Sequence, residues 1–146
     1  MKKKTASGNS ARAPSAHEHS GRLTAFRQQI LDLFASARFS ELATTAEAAV
    51  AAFPEQAFFW KALGVARGLL DERGDRVIEP LSAAARLNPA DAEVLDALAL
   101  ALARVGRLDE GLAHGARAVA LAPNHAVLQT NYGNLLVDQH RGDLGF

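Results

Sequence analysis

The chain repeats one pattern of helix-forming sequence at a spacing of about 34 residues. Pro54, Pro89 and Pro123 each close an Ala-rich amphipathic segment, and each is followed by a new apolar helical pattern. The intervals between these prolines are 35 and 34 residues. Proline cannot continue the helix before it and suits the turn into the next helix. The spacing therefore predicts two-helix units that bury their apolar faces by stacking on one another.

The third unit shows the pattern best. Its first helix, predicted at residues 93–105, has Asp96 as the one strongly polar residue in its interior. A helix that is apolar nearly all round needs neighbours on more than one side. Gly106 ends it, and the second helix that follows contains Gly111 and Gly115. Their four-residue spacing places both glycines on one face, where a bare backbone allows another helix to approach closely.

These motifs resemble those of tetratricopeptide repeat (TPR) proteins over about 120 residues. The second unit carries Trp60, Leu63 and Gly64 in a large–x–x–Leu–Gly arrangement, and the last carries Tyr132 and Gly133 at the same offset from its proline, within one residue. The resemblance implies an all-α fold, a right-handed α-solenoid of three helix–turn–helix units and a final helix. The units are expected at residues 23–56, 57–91 and 92–125, with a partial unit at residues 126–146.

Two features depart from the repeat pattern. Pro80 lies in the second helix of the second unit, which predicts that this helix is shortened or kinked. After Gln139 too few residues follow for a second helix in the last unit. Either the polar final helix is the solvating cap that such stacks need, or the chain is the front of a longer protein.

The first 22 residues differ in composition from the rest. Residues 1–22 carry five basic and one acidic side chain, while residues 23–146 carry 11 basic and 15 acidic ones. The first segment has too little apolar surface to offset its ordering entropy, so a disordered basic tail is predicted. Lys2–Lys4 are not followed by the apolar stretch of a secretory signal, so we expect a cytoplasmic protein.

Composition also excludes several classes of function. The 16 basic and 16 acidic side chains give no net charge, which argues against a nucleic-acid or anionic-membrane partner. No apolar run approaches the roughly 18 residues of a membrane span, and the absence of Cys excludes thiolate sites and disulfides. The sequence has no nucleophile elbow and no phosphate loop, and His17-Glu18-His19 lacks a third metal ligand. We therefore predict no enzyme, no cofactor and no metal.

The first helix of each unit in a TPR stack lines a concave surface. Side chains spaced three to four residues apart along these helices are the candidate contacts with a peptide or protein partner. They are Phe58, Lys61 and Val65; Asp96, Leu100 and Arg104; and Thr130, Asn131, Asn134 and Asp138. The apolar members equally fit ordinary core positions, and the charged members fit an exposed helix face. Their mixed charge favours an extended peptide held by several weak contacts.

Two subfamilies of TPR proteins can be compared with these positions. Receptors for chaperone tails clamp a terminal carboxylate with basic and Asn side chains, but Val65 stands where Asn is needed and Asp96 adds the wrong charge. Three runs are similar to the front end of SPINDLY-type bacterial protein O-linked glycosyltransferases: residues 58–65, 88–93 and 130–135. Those enzymes line the superhelix with Asn, and Asn131 lies in that row, with Ala62 and Ala97 at the equivalent places.

The sequence therefore predicts a non-catalytic protein–protein interaction module that binds a peptide or partner protein in the concave TPR groove. The alternative is the N-terminal, substrate-presenting TPR portion of a truncated or split O-linked glycosyltransferase.

Overall fold

The computed structural model describes residues 15–145, which form seven helices and no strand. The helices are α1 (Ala16–Ala35), α2 (Phe39–Ala52), α3 (Ala57–Leu69), α4 (Asp75–Leu87), α5 (Ala92–Arg104), α6 (Leu108–Leu121) and α7 (Ala126–Asp143). Each helix packs against the next one in the chain. The predicted all-α stack of three helix pairs and a final helix is confirmed.

The turns inside the three pairs share one backbone device. Ala37, Asp71 and Gly106 follow the first helix of their pairs with φ angles of 56°, 65° and 84°. This left-handed conformation is the usual way to end a helix and reverse the chain, and Gly106 adopts it at least cost. The turns between pairs instead carry the repeated proline.

The first helix starts earlier than the composition predicts. Ser15 caps α1: its side chain accepts from the backbone N–H of Glu18 at 3.1 Å, and the Glu18 carboxylate accepts from the Ser15 N–H at 3.2 Å. This reciprocal capping box satisfies two backbone donors of the first turn. The prediction of a disordered tail over residues 1–22 is therefore wrong from Ala16 onward, and residues 1–14 lie outside the described part of the chain.

An aromatic contact holds the start of α1 against the stack. The His19 ring lies 4.7 Å from the ring of Phe53, which is fully buried. The Arg22 guanidinium lies 5.8 Å from the same ring. The composition of the tail gives no sign of these contacts, because Phe53 lies 31 to 34 residues further along the chain.

Pro80 does not shorten its helix. Helix α4 has 13 residues, against 14 in α2 and in α6. Proline lacks the N–H that would bind the carbonyl four residues earlier, which is that of Arg76. The guanidinium of Arg67 in α3 donates to this carbonyl at 3.0 Å, so the acceptor that Pro80 leaves free is satisfied from the neighbouring helix.

Gly111 and Gly115 allow close packing, as predicted, but against two helices. A Cβ atom at Gly111 would lie 2.7 Å from the carbonyl oxygen of Ala99 in α5. At Gly115 it would lie 3.0 Å from the ring of Tyr132 in α7. Helix α6 therefore fits between α5 and α7 because its backbone is bare at these two positions.

The first helices also touch one another. Besides the contacts between consecutive helices, α3 contacts α5 and α5 contacts α7. Through these contacts α3, α5 and α7 form one continuous side of the stack, which we call the inner face.

Among residues 15–145 no helix is both long enough and apolar enough to cross a membrane.

Candidate functional site

The candidate side chains occupy equivalent places on the inner face. Counted from the start of each helix, they form three rows that run from α3 through α5 to α7. The rows are Lys61, Asp96 and Thr130; Val65, Leu100 and Asn134; and Leu69, Arg104 and Asp138. Leu69 was not among the predicted residues, and the predicted Phe58 and Asn131 lie outside these rows. The middle row is half-buried in α3 and α5 and exposed in α7.

An apolar pocket of about 210 Å³ lies between α3 and α5. Val65 and Leu100 line it, together with the exposed Leu69 and Arg104, so the pocket is open to solvent at the inner face. The buried side chains of Val77 and Leu81 in α4 complete it. The structure thus brings three of the predicted residues together: Val65, Leu100 and Arg104.

Gly68 accounts for much of the space in this pocket. It lies on α3 where α5 has Ala103 and α7 has Val137. A Cβ atom at Gly68 would have only one neighbour within 4 Å, a methyl group of Val77 at 3.9 Å. Gly68 was not predicted as a site residue, although a glycine at a place where the other units carry a side chain indicates open space there.

Lys61 is held within the molecule. Its ammonium group donates to the carboxylate of Asp91 at 3.0 Å and to that of Glu93 at 3.1 Å. Burial works against the charged form of Lys61, but the hydrogen bonds and charges of these two carboxylates outweigh it and raise the pKa of Lys61. Lys61 therefore joins α3 to the start of α5, and its charge is already neutralised.

Asp96 and Asn131 are bonded to each other. The Asn131 amide donates to the Asp96 carboxylate at 2.9 Å and so links α5 to α7. Burial raises the pKa of Asp96, and it outweighs the opposing effects of the Asn131 hydrogen bond and the His125 charge. Within residues 15–145 the half-buried Asp96 carboxylate accepts its one side-chain hydrogen bond from a neutral amide.

Arg104 and Phe58 have internal partners as well. The Arg104 guanidinium pairs with the carboxylate of Asp71 in the turn between α3 and α4. The half-buried ring of Phe58 lies beneath the guanidinium of Arg27 in α1, 4.6 Å from the ring centre. The partners Asp71, Asp91 and Arg27 were not predicted, because they lie in turns or in another unit.

The inner surface of α7 is the part that remains available. Thr130, Asn134 and Asp138 are exposed, and within residues 15–145 none of their side chains makes a hydrogen bond or ion pair. They offer a hydroxyl, an amide and a carboxylate along one helix face.

The histidines near the start of the chain take structural positions. His17, Glu18 and His19 lie in the first turn of α1, where Glu18 completes the capping box and His19 contacts Phe53. In the described part of the chain no group of three or more His, Asp or Glu side chains could hold a metal ion.

No protein-family model and no curated protein sequence matches the chain. Several solved structures do match it in fold. The first TPR domain of Spaghetti (RPAP3), bound to the HSP90 peptide SRMEEVD, superposes with a TM-score of 0.76 at 14% identity, over 83% of this chain and 95% of that one. The fold is a TPR solenoid.

Two further structures extend this comparison. The Yersinia enterocolitica type III secretion chaperone SycD, in complex with a peptide of the translocator YopD, gives a TM-score of 0.72 at 15% identity, over 82% of this chain and 95% of that one. YrrB, a TPR protein with an unusual peptide-binding site, gives 0.71 at 25% identity, over 83% of this chain and 62% of that one.

Proposed function

We propose that the chain is a non-catalytic interaction module that binds an extended peptide segment of a partner protein on its inner face. The observation that carries the proposal is the apolar pocket between α3 and α5, which is open to solvent beside the exposed polar side chains of α7. SycD and RPAP3, which share the fold, are peptide complexes, and this supports the same class of partner here.

In this proposal the ten candidate residues divide into two groups. The first group contacts the peptide: Val65, Leu100, Arg104, Thr130, Asn134 and Asp138. The second group fixes the spacing of the helices that form the site: Phe58, Lys61, Asp96 and Asn131. Each member of the second group has an internal partner that lies on another helix or at its start. Arg104 also has an internal partner, Asp71, but it belongs to the first group because it lines the pocket.

The glycosyltransferase alternative gains no support from the inner face. It was suggested by three similar sequence runs and would require a row of Asn side chains, in which Asn131 is the single member. That amide is bonded to Asp96, and Ala62 is buried. We do not propose this function.

The test starts from peptides selected on the purified full chain. Short random peptides displayed on phage are selected against the immobilised protein, and the affinity of a labelled synthetic peptide is then measured by fluorescence anisotropy. Asn134→Arg places a long charged side chain on the exposed inner surface of α7, and we expect about tenfold weaker binding or more.

Ala116→Arg is the matched control. Ala116 is exposed on α6, outside the inner face, so this variant should bind within about twofold of the wild type. A peptide that binds Asn134→Arg normally and loses affinity for Ala116→Arg would place the binding surface elsewhere. Charge reversal at Lys61 is not a suitable test, because it would set three carboxylates side by side.

A further inference from the structure

We propose that the pocket between α3 and α5 takes one large apolar side chain of the bound peptide, and that a basic residue of the same peptide binds the exposed carboxylate of Asp138 on the neighbouring first helix, α7. The ligand is then a peptide with an aliphatic or aromatic anchor and a nearby Lys or Arg. This inference rests on the proposed function and specifies the chemistry of its partner.

The size of the pocket indicates a single side chain. Its volume of about 210 Å³ lies below the roughly 300–1,000 Å³ of sites that enclose a whole small molecule or cofactor. Nearly all of its lining is aliphatic, from Val65 and Leu100 on the sides to Val77 and Leu81 beneath them. Such a lining rewards an apolar group and offers no hydrogen bond to a polar one.

The position of Gly68 keeps the pocket deep. Any side chain at this place would project toward Val77 and occupy the space between α3 and α4. Because Gly68 costs helix stability relative to Ala, its place in the last turn of an otherwise well-formed helix is consistent with a requirement for that space.

The charges around the pocket favour a basic partner over an acidic one. The single charge of Lys61 is shared by two carboxylates, and that of Arg104 is matched by Asp71. Where α5 faces α7, the Asp96 carboxylate accepts a hydrogen bond from the neutral amide of Asn131. On α7 itself, the carboxylate of Asp138 is exposed and has no partner among residues 15–145. Uncompensated negative charge therefore lies on one side of the pocket, where a cation is attracted and a carboxylate is repelled.

The experiment compares the phage-selected peptides with pocket-filling variants of the full chain. We expect the selected peptides to share one Leu, Ile, Met or Phe with a Lys or Arg close to it, and to be depleted in Asp and Glu. Gly68→Leu should weaken binding by about ten- to a hundredfold, the value of burying one such side chain. Gly133→Leu adds the same side chain to α7, at a glycine with open space around it, and its affinity for the peptide should stay within about twofold of that of the wild type.

A second pair of variants tests the charge. Asp138→Lys should weaken binding severalfold at low salt and less at high salt, since an exposed ion pair is screened. Asp143→Lys, at the end of the same helix, makes the same change in net charge and should have no such effect. Circular dichroism confirms folding. If Gly68→Leu does not fold, Gly68→Ala, whose methyl group has room beside Val77, replaces it with a smaller expected loss.

The outcomes separate the two proposals. Peptides that bind the inner face, as shown by Asn134→Arg, but tolerate Gly68→Leu or carry an acidic consensus would overturn the anchor inference and leave the proposed function standing. A selection that enriches no peptide over the bare support would count against the proposed function and, with it, the anchor.

Discussion

Replacing Gly111 with Ala gives the sharpest test of the packing, because two effects of known size oppose each other. Ala is favoured over Gly inside a helix by about 1 kcal/mol. The new Cβ would lie 2.7 Å from the Ala99 carbonyl oxygen and 3.5 Å from the Ala103 nitrogen. These are main-chain atoms of α5, so the clash is relieved only by moving α6 away from α5.

Overpacking of this kind costs about 1–3 kcal/mol, and a shift between whole helices belongs in the upper part of that range. After the gain in helix propensity we expect Gly111→Ala to destabilise the chain by about 1–2 kcal/mol, which lowers Tm by about 4 °C per kcal/mol for a chain of this size. Urea unfolding followed by far-UV circular dichroism measures the difference.

Gly133→Ala is the control for this variant. Gly133 is also inside a helix, but a Cβ atom there meets nothing within 4 Å, so propensity alone should act and stability should rise by up to about 1 kcal/mol. The two substitutions are chemically identical and should differ in sign. A Gly111→Ala chain that is as stable as the wild type would refute the close approach of α5 and α6.

Three further predictions follow from named contacts. Arg67→Met should cost about 1–2 kcal/mol in the wild type and clearly less in a Pro80→Ala background, where the backbone carbonyl regains its own N–H; equal losses in both would contradict that role of Arg67. Leu98→Ala should lower the free energy of unfolding by about 2–5 kcal/mol because Leu98 is 3% exposed, and a loss below about 0.5 kcal/mol would contradict its core position. Since burial raises the pKa of Asp96, folding favours its protonated form, and the stability that Asp96 contributes falls as pH rises above its ordinary pKa. Asp96→Asn keeps an acceptor for Asn131 and does not titrate, so its Tm should rise relative to that of the wild type between about pH 3 and pH 7. A difference in Tm that stays constant over this range would contradict the effect of burial.

The helices could be predicted from the sequence because their signals are local and repeated. Each of the first three units ends in the same proline and has similar apolar spacing, so the pattern in one unit supports the assignment in the others. The start of α1 lacked this support. There a capping box of two residues and one ring contact with Phe53 outweigh a composition that, averaged over the segment, predicts disorder.

The candidate site could be predicted only as a surface. Helical periodicity predicts which side chains share a helix face, as for Lys61, Asp96 and Arg104, but it carries no information about which side chains bind one another across helices. Those partners lie 30 to 35 residues away in the sequence, and each is set by how the units stack. The pocket was missed for a related reason: it is a space left by Gly68, and periodicity finds side chains.

The ion pairs and the pocket are parts of one arrangement. Lys61 ties α3 to the start of α5, and Arg104 ties the end of α5 back to the turn that follows α3. The two bridges therefore lie on either side of the row in which Val65 and Leu100 line the pocket. With both ends of the two helices joined by charge, the space between them need not be filled with side chains to hold the helices in place. Lys61 and Asp96 then serve binding by fixing the spacing of the helices, and Arg104 does so while it also lines the pocket. Polar groups of the peptide are bound by α7, where the side chains of Thr130, Asn134 and Asp138 are exposed.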